Sequence, residues 1–285
     1  MAVMTYSSLN SDLIDYLDRD DDRLIAQIPN FINLGEIRCA REVKNLGLKT
    51  TAVSSFSPGQ YAYQKPDRWL ETISINYGSS TSYTTTSRAN SSGTRTLVLS
   101  SAHDFSVGDS LSVFNVGGSG YNGTFVVSAV TQNSVSYIYG SGTEATTADA
   151  GGIVCEPLEQ RNYLKPRSYE FCSAYWQNRT QTGTPAYYSD YDFNYLFIVP
   201  TPQISNPFEI VFYQRPIPLS ESNQTNWFTE FAPDMLLYAS LLEAVPYLKN
   251  DQRIPIWKDY YMQSAGSIKL ENKERINDAT IKRME

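Results

Sequence analysis

The chain holds one histidine, His103. Any HExxH helix or pair of imidazole ligands needs two, so those metal sites are excluded. A Ser-His-Asp triad would have to use His103, which sits in His103-Asp104-Phe105 ahead of Val107-Gly108-Asp109. That context reads as a turn entering a strand, not as a base facing a nucleophile. The glycine-rich run at 116–123 would cradle phosphate only if Gly-Lys-Ser/Thr opened a helix there. Instead Tyr121-Asn122-Gly123 leads into Thr124-Phe125-Val126-Val127. This is a hairpin loop, with Asn122-Gly123 supplying residues that accept positive φ. Asp190, Asp192, Glu209, Glu170 and Asp234 are the acids that could form a hydrolytic carboxylate pair. Each is more simply a strand-flanking, surface or helix-end acid. Cys39, Cys155 and Cys172 are widely spaced, with no CxxC or zinc spacing, and read as buried free thiols in a reducing compartment. The residues thus predict no catalytic group, no metal and no cofactor.

Composition points to surfaces that hold other proteins. The 285 residues, 41% of them hydrophobic, suffice for one large domain or two smaller ones. Tyrosine occurs 21 times while charge is only 19%, and tyrosine buries a large ring while keeping a polar tip, which suits interfaces. The net charge is −7 with no Lys/Arg cluster, so tight binding to duplex DNA is disfavoured. An acidic chain can still line a passage through which DNA slides. No apolar run reaches membrane-spanning length, and no signal peptide precedes the first helix.

Residues 5–47 read as helical. Ser7 and Ser8 can cap a short helix with Leu9, Leu13, Tyr16 and Leu17 on one face, and an acidic break follows at 18–22. Pro29 suits the first position of a second helix. Its stripe is Ile28, Ile32, Gly35, Cys39, Val43 and Leu46, with Gly47 as a left-handed stop. Gly35 costs the helix about 1 kcal/mol against Ala, which predicts close approach of a neighbouring helix. Residues 70–77 read as a strand. From 78 to about 152 the chain turns to Ser, Thr and Gly, with strands predicted at 95–100, 110–115, 123–131, 134–139 and 152–155. Such short, evenly spaced runs predict a small antiparallel barrel or sandwich.

After 156 come one or two helical turns at 168–176 and strands at 185–188, 194–199 and 208–215, bounded by Pro200-Thr201-Pro202 and Pro216-Ile217-Pro218. A final helical part begins at Pro233-Asp234, where the proline takes the first position and the acid faces the positive helix end. Its stripe is Leu237, Leu241, Ala244 and Leu248, and Pro246 predicts a kink. A further helix begins near Ile254-Pro255 with Trp257, Tyr261, Ser264 and Ile268 on one face. Beyond Leu270 the chain is mostly polar.

Several of these stretches together resemble the head-to-tail adaptor (connector) proteins of tailed bacteriophages, especially short-tailed ones. They are Tyr6-Ser7-Ser8-Leu9 with Asp12-Leu13-Ile14-Asp15-Tyr16-Leu17-Asp18-Arg19; Ile28-Pro29-Asn30-Phe31-Ile32-Asn33-Leu34-Gly35-Glu36-Ile37-Arg38; Leu164-Lys165-Pro166-Arg167-Ser168-Tyr169-Glu170; Gly183-Thr184-Pro185-Ala186-Tyr187-Tyr188; Val199-Pro200-Thr201-Pro202; and the helical block at 225–251. Order and joint presence carry the resemblance, which covers roughly 5–77 and 157–262. Phe105-Ser106-Val107-Gly108-Asp109, Tyr121-Asn122-Gly123-Thr124-Phe125 and Gly151-Gly152-Ile153-Val154 look like the small β modules recurrent in phage structural proteins.

Pattern and composition predict an α+β chain: residues 1–77 and 156–285 form a discontinuous core of helices with a small sheet, and the abrupt shift to Ser, Thr and Gly between them predicts 78–155 as an all-β barrel or sandwich inserted into a loop of that core. The resemblance implies that the helical part is the adaptor core and that 270–285 is a polar tail docking on the portal. It implies a homo-oligomeric ring, typically of twelve copies, at the head-tail interface (neck) of the virion, assembled in the host cytoplasm. The partners would be the portal protein, tail, nozzle or tail-fibre proteins, and genomic DNA passing without sequence-specific contact, with no membrane. Carried onto this chain, partner binding falls to Trp257, Tyr260, Tyr261, Ile268, Lys269, Leu270, Arg275, Ile276 and Ile281. Ile28, Ile32, Gly35, Val43, Leu237, Leu241 and Leu248 are the subunit-packing positions. The alternative is a receptor- or glycan-binding tail component using the β insert, motivated by Tyr121, Tyr137 and Tyr139 as exposed aromatics.

Overall fold

A computed structural model describes residues 4–18, 21–44, 46–78, 81–157, 161–248 and 252–281, without the side chains of Leu46 and of 274–281. Its helices are α1 (Tyr6–Leu17), α2 (Asp22–Ile25), α3 (Ile28–Glu42), α4 (Tyr169–Tyr175), α5 (Trp227–Phe231), α6 (Pro233–Leu248) and α7 (Ile254–Ile281). Its strands are β1 (Lys49–Ser55), β2 (Ala62–Gln64), β3 (Trp69–Gly78), β4 (Ser82–Ser91), β5 (Thr94–Leu99), β6 (Ser110–Phe114), β7 (Gly123–Thr131), β8 (Ser134–Ile138), β9 (Glu144–Ala148), β10 (Ile153–Cys155), β11 (Arg161–Pro166), β12 (Thr182–Gly183), β13 (Tyr187–Asp190), β14 (Tyr195–Val199), β15 (Thr201–Pro202) and β16 (Pro207–Gln214). The chain has both helices and sheets, as an α+β fold requires. It divides into two compact units: residues 1–50, 67–71 and 212–285, and residues 51–66 and 72–211.

The first unit is a helical packing. The cap of α1 is Thr5, not Ser7 or Ser8: its hydroxyl accepts the Ser8 N–H at 3.1 Å, and the Ser8 hydroxyl accepts the Thr5 N–H at 2.9 Å. That reciprocal box pairs two otherwise orphaned donors. Tyr6, Leu9, Leu13 and Leu17 are buried, while Tyr16 points out to solvent. Asp18, in the left-handed conformation, ends α1, and Asp21 caps α2 by accepting the Leu24 N–H. Pro29 falls in the first turn of α3, one residue later than expected. Gly35 does meet a neighbouring helix: a Cβ there would lie 2.7 Å from Ser240 Oγ and 3.0 Å from its backbone nitrogen on α6.

Gly47 is not a left-handed stop. Helix α3 ends at Glu42 with Val43 extended, and Gly47 lies in a 3₁₀ turn (Leu46–Leu48). It is small because Trp227 lies against it; an added Cβ would fall 1.9 Å from the indole Nε1. Asn226 caps α5 through Phe228 and Thr229, and Pro233 opens α6. Helix α6 runs on through Pro246 for two further residues, so the proline lies within its last turn. There its missing N–H leaves the Leu242 carbonyl without the usual helical donor.

The strands form two sheets of seven and a small pair, β12 with β15; all lie in the second unit except the first residues of β1 and β3 and the last of β16. One sheet runs β1-β16-β3-β11-β13-β14-β2. It is antiparallel where β3 meets β11 and β13 meets β14, and parallel between β11 and β13. Phe56, Tyr63, Tyr77 and Phe208 pack its aromatic core, with Phe56 stacked on Phe208 at 4.6 Å. Helix α4, capped by Ser168, covers Phe197 and Val199 with Cys172.

The other sheet runs β10-β6-β7-β8-β5-β4-β9 and closes because β10 also pairs with β4. Closure pairs both edges of β5, β6, β7, β8 and β10, which an open sheet of Ser/Thr-rich strands would leave partly exposed, while β9 lies outside the closed ring and pairs with β4 alone. Bulges interrupt β4 and β7 where the barrel bends. Leu97, Leu111, Val113, Val127, Val135 and Tyr137 fill the interior, and Phe125 stacks on Tyr137 at 4.2 Å.

Candidate functional site

Helix α7 carries six of the expected partner-binding side chains that are described. One face is used inside the chain. Trp257 and Tyr261 are buried, so they hold α7 in place and are not open to a partner, while Ile268 packs against the same core but is only half-buried. Arg253 stacks over the Trp257 ring at 5.2 Å and donates to the Tyr16 and Leu17 carbonyls, closing the end of α1. The Tyr261 hydroxyl donates to Glu42 Oε2 at 2.5 Å, Lys269 Nζ reaches Glu42 Oε1 at 3.2 Å, and the Asn272 amide donates to the Lys44 carbonyl. The Tyr261 hydrogen bond, followed by Lys269, holds the Glu42 carboxyl below its usual range. Burial, followed by the bond to Glu42, pushes the Tyr261 phenol up.

The outer face of α7 is different. Ile256, Tyr260, Met262 and Leu270 are exposed. Tyr260 stacks on Tyr238 at 5.1 Å. Tyr260, Lys269 and Leu270 are therefore the predicted partner-binding residues that the structure leaves accessible. Arg275, Ile276 and Ile281 lie on the helix backbone, but their side chains fall outside the described residues.

Ile28, Ile32, Gly35, Val43, Leu237, Leu241 and Leu248 all lie in the interior of one chain, where α3 packs on α6. Already covered, they offer no area to a partner; they pack the helices within the chain. Beside them Glu36 is buried and accepts the Leu219 N–H at 3.1 Å and the Asn226 amide. Burial pushes its carboxyl up, against the pull of those two donors.

The groups that could have done chemistry each hold structure. His103 Nδ1 accepts the Phe105 N–H at 3.1 Å, which leaves Nε2–H to donate to the Ser134 carbonyl at 3.1 Å. Asp190 pairs with Lys65 at 2.8 Å and Glu209 with Arg161 at 2.6 Å. Asp192 accepts the N–H groups of Asn194 and Tyr195. Asp234, in the first turn of α6, accepts from Ser264, and Glu170 lies in the first turn of α4. The three cysteines are free and buried, and burial pushes the Cys155 thiol up to about 12. Among the described residues no group of acids, histidines and cysteines could hold a metal ion.

In the 116–123 loop Gly123 takes positive φ, but Asn122 works through its side chain, bonding both ways to the Val116 backbone at 2.9 and 2.8 Å. Tyr121 and Tyr137 are buried, not exposed: Tyr137 donates to the Tyr121 carbonyl, and Arg95 lies over the Tyr121 ring at 4.5 Å. Of the three aromatics that motivated glycan binding, Tyr139 alone is exposed.

The profile of the SU10 adaptor protein family matches residues 4–155 and 145–283. The chain belongs to the SU10 adaptor protein family. A search of curated proteins returned no match. As an SU10 adaptor protein the chain is a structural phage adaptor, a type that is not enzymatic. Membership implies a place in the virion neck, in contact with portal and tail proteins. The match begins before α1 and ends within the last residues of the chain, so the fastened part of α7 lies inside the family pattern. The fastenings of α7 in this adaptor, Glu42 and Arg253, gave no signal along the sequence, because each acts on a residue more than two hundred positions away.

Proposed function

We propose that this adaptor closes into a ring of twelve copies seated beneath the portal of a short-tailed phage. There it extends the DNA channel and gives the tail its platform. Family membership across nearly the whole chain carries this reading. The polar stretch 270–285 docks on the portal, with Tyr260, Lys269 and Leu270 on the exposed face of α7 leading into it. Fastening α7 to Glu42 and Lys44 supports that role, because a partner gains most from a segment already held in place.

Residues 1–77 and 156–285 act as the adaptor core, and 78–155 as a module inserted into it. The closed barrel supports the module reading, since it fills its own interior. Facing outward on the ring, it would leave assembly to the core. The net charge of −7, repeated around a channel, repels phosphate and lets DNA pass.

Mass measurement of the particle with and without portal tests the ring. A particle of about twelve subunits, formed alone or on portal, is expected; a monomer under both conditions refutes it. A chain ending after Asn272 keeps the contacts to Glu42 and Lys44, so it should fold yet lose portal binding. Unchanged binding would remove the tail from the portal contact. Deleting 80–152 should leave a ring that still binds portal; loss of the ring would place the barrel at the subunit interface.

A further inference from the structure

The turn between β13 and β14 presents an aromatic ring almost wholly to solvent. Phe193 is 86% exposed. Its backbone is nevertheless held from several sides. Asp192 Oδ1 accepts the N–H groups of Asn194 and Tyr195 at 2.7 and 2.8 Å, and the Tyr191 N–H donates to the Tyr195 carbonyl at 3.1 Å. Lys65, its side chain only 4% exposed, reaches Asp190 Oδ1 and the Asp192 carbonyl, both at 2.8 Å. A buried lysine spent on a surface turn fixes that turn. A large apolar side chain on a fixed support binds without the ordering cost that a mobile one carries, and such residues dominate interface energetics.

The same unit carries a shallow depression lined by Pro166, Arg167, Ser168 and Phe171. Phe171 and Tyr175 are exposed and stacked at 6.0 Å, and the Arg167 guanidinium lies over the Phe171 ring at 5.5 Å. Among the described residues Arg167 forms no ion pair. The acidic tip and this cationic, aromatic floor are complementary in charge: Asp192 flanks Phe193 on one, and Arg167 with Lys165 borders the other, beside the single acid Glu170. Register places the floor at the start of β13, where Pro166 pairs with Tyr188, and the tip just past its end at Asp190. The segments that bear the two patches touch through the Tyr169 and Tyr191 rings, 5.7 Å apart, but Phe193 itself is exposed and so is not seated on the floor of its own chain.

We infer that Phe193 of one copy seats on the Arg167–Phe171 floor of the next, forming one of the repeated contacts that close the ring. The inference rests on the ring reading above. A ring needs two different patches that fit each other, repeated until closure. A protruding aromatic with an acid beside it, and an aromatic floor with an unpaired cation, form such a couple.

The test places a photo-crosslinking phenylalanine at position 193 and maps the products by mass spectrometry in assembled particles. Crosslinks to residues 165–175 of another copy are expected. Phe193→Ala removes a ring that is 86% exposed in its own chain, so circular dichroism should not change. Loss of a dominant contact should raise the subunit concentration needed for assembly by about 30-fold. Two outcomes overturn the inference while leaving the ring intact: crosslinks elsewhere or to another neck protein, and unaltered assembly by Phe193→Ala. Wild-type chain that forms no ring, alone or on portal, overturns the ring reading itself and this contact with it.

Discussion

Two glycines lie inside helices, and one substitution should move them in opposite directions. Replacing glycine by alanine within a helix gains about 1 kcal/mol from backbone entropy alone. At Gly266 in α7 an added Cβ meets nothing within 4 Å, so Gly266→Ala should stabilise the free chain by about that amount. At Gly35 the new methyl would lie 2.7, 3.0 and 3.1 Å from Ser240 Oγ, N and Cα, where ordinary contacts are 3.4–4 Å. Two of these atoms are backbone, and Ser240 is buried with its hydroxyl on the Leu236 carbonyl at 2.9 Å. Relief therefore requires α6 to back away, opening the seam along Ile32, Cys39 and Leu236. Overpacking of this kind costs about 3 kcal/mol at the upper end. Set against the same 1 kcal/mol gain, Gly35→Ala should destabilise by about 2 kcal/mol. Denaturant unfolding followed by tryptophan fluorescence reads both, since Trp227 and Trp257 lie in or against that helical core. Adding Ser240→Ala removes the 2.7 Å contact but neither backbone contact, so it should recover only part of the loss. A Gly35→Ala chain as stable as wild type would refute close helix approach as the reason for the glycine. Destabilisation by Gly266→Ala in the free chain would refute the open surface of α7.

Glu36 and Glu42 predict opposite pH trends. Burial raises Glu36, so the stability it contributes is full below the usual carboxylate range and is lost as the pH rises through the raised value. Glu36→Gln should therefore gain on wild type from about pH 4 to pH 7; a difference that stays flat in paired denaturation curves would sink this account. Glu42 is lowered, so its contribution is present above the usual range and lost as the pH falls through the lowered value. Tyr261→Phe, which removes the 2.5 Å bond to that half-exposed carboxylate, should cost about 1 kcal/mol at pH 7 and less below about pH 4. In the barrel, Arg88 pairs with buried Asp149 at 2.5 Å, which also accepts the Gly117 N–H at 2.7 Å. Arg88→Ala leaves that carboxylate without its cation, at a cost of about 3 kcal/mol. Hydrogen exchange should quicken across 116–123 while α3 and α6 keep their protection; unchanged exchange would show that the ion pair does not hold the loop.

The barrel strands were legible where apolar and polar residues alternate, and β5, β6, β7, β8 and β10 fall within two residues of their predicted ends. β4 was not, and its burial explains why. Its covered positions include Ser82, Thr85 and Asn90, which look like loop residues. They are tolerated inside because their polar atoms are paired: Thr85 Oγ1 donates to the Asp149 carbonyl and accepts the Gly152 N–H, and Asn90 accepts the Gly93 N–H. Periodicity likewise found the helix stripes but not what lay opposite them. Gly47 carried the local signature of a helix stop, yet the atom that sets its size belongs to Trp227. Tyr121 and Tyr137 looked like surface tyrosines because composition carries no direction; only the folded loop turns them inward, under Arg95. The helix face was read correctly at Trp257 and Tyr261, but a face that buries itself cannot also meet a partner.

That distinction bears on how an adaptor divides its surface. The side chains with the greatest reactive potential are engaged by groups of their own chain or buried: both nitrogens of His103, the carboxylates of Glu36, Asp190, Asp192 and Glu209, and three buried thiols. The exposed apolar side chains Phe193, Tyr260 and Leu270 lie on supports that are pinned. Phe193 stands on a turn tied to Lys65, and Tyr260 and Leu270 stand on a helix tied to Glu42 and Lys44. Solvent-exposed rings on mobile loops would have to be ordered at each contact, at about 0.5–1.5 kcal/mol per side chain. A subunit that repeats its contacts around a ring would incur that cost at every interface. In the proposed ring, spending the polar groups on rigidity and leaving apolar groups exposed at fixed points would lower the cost of every copy added.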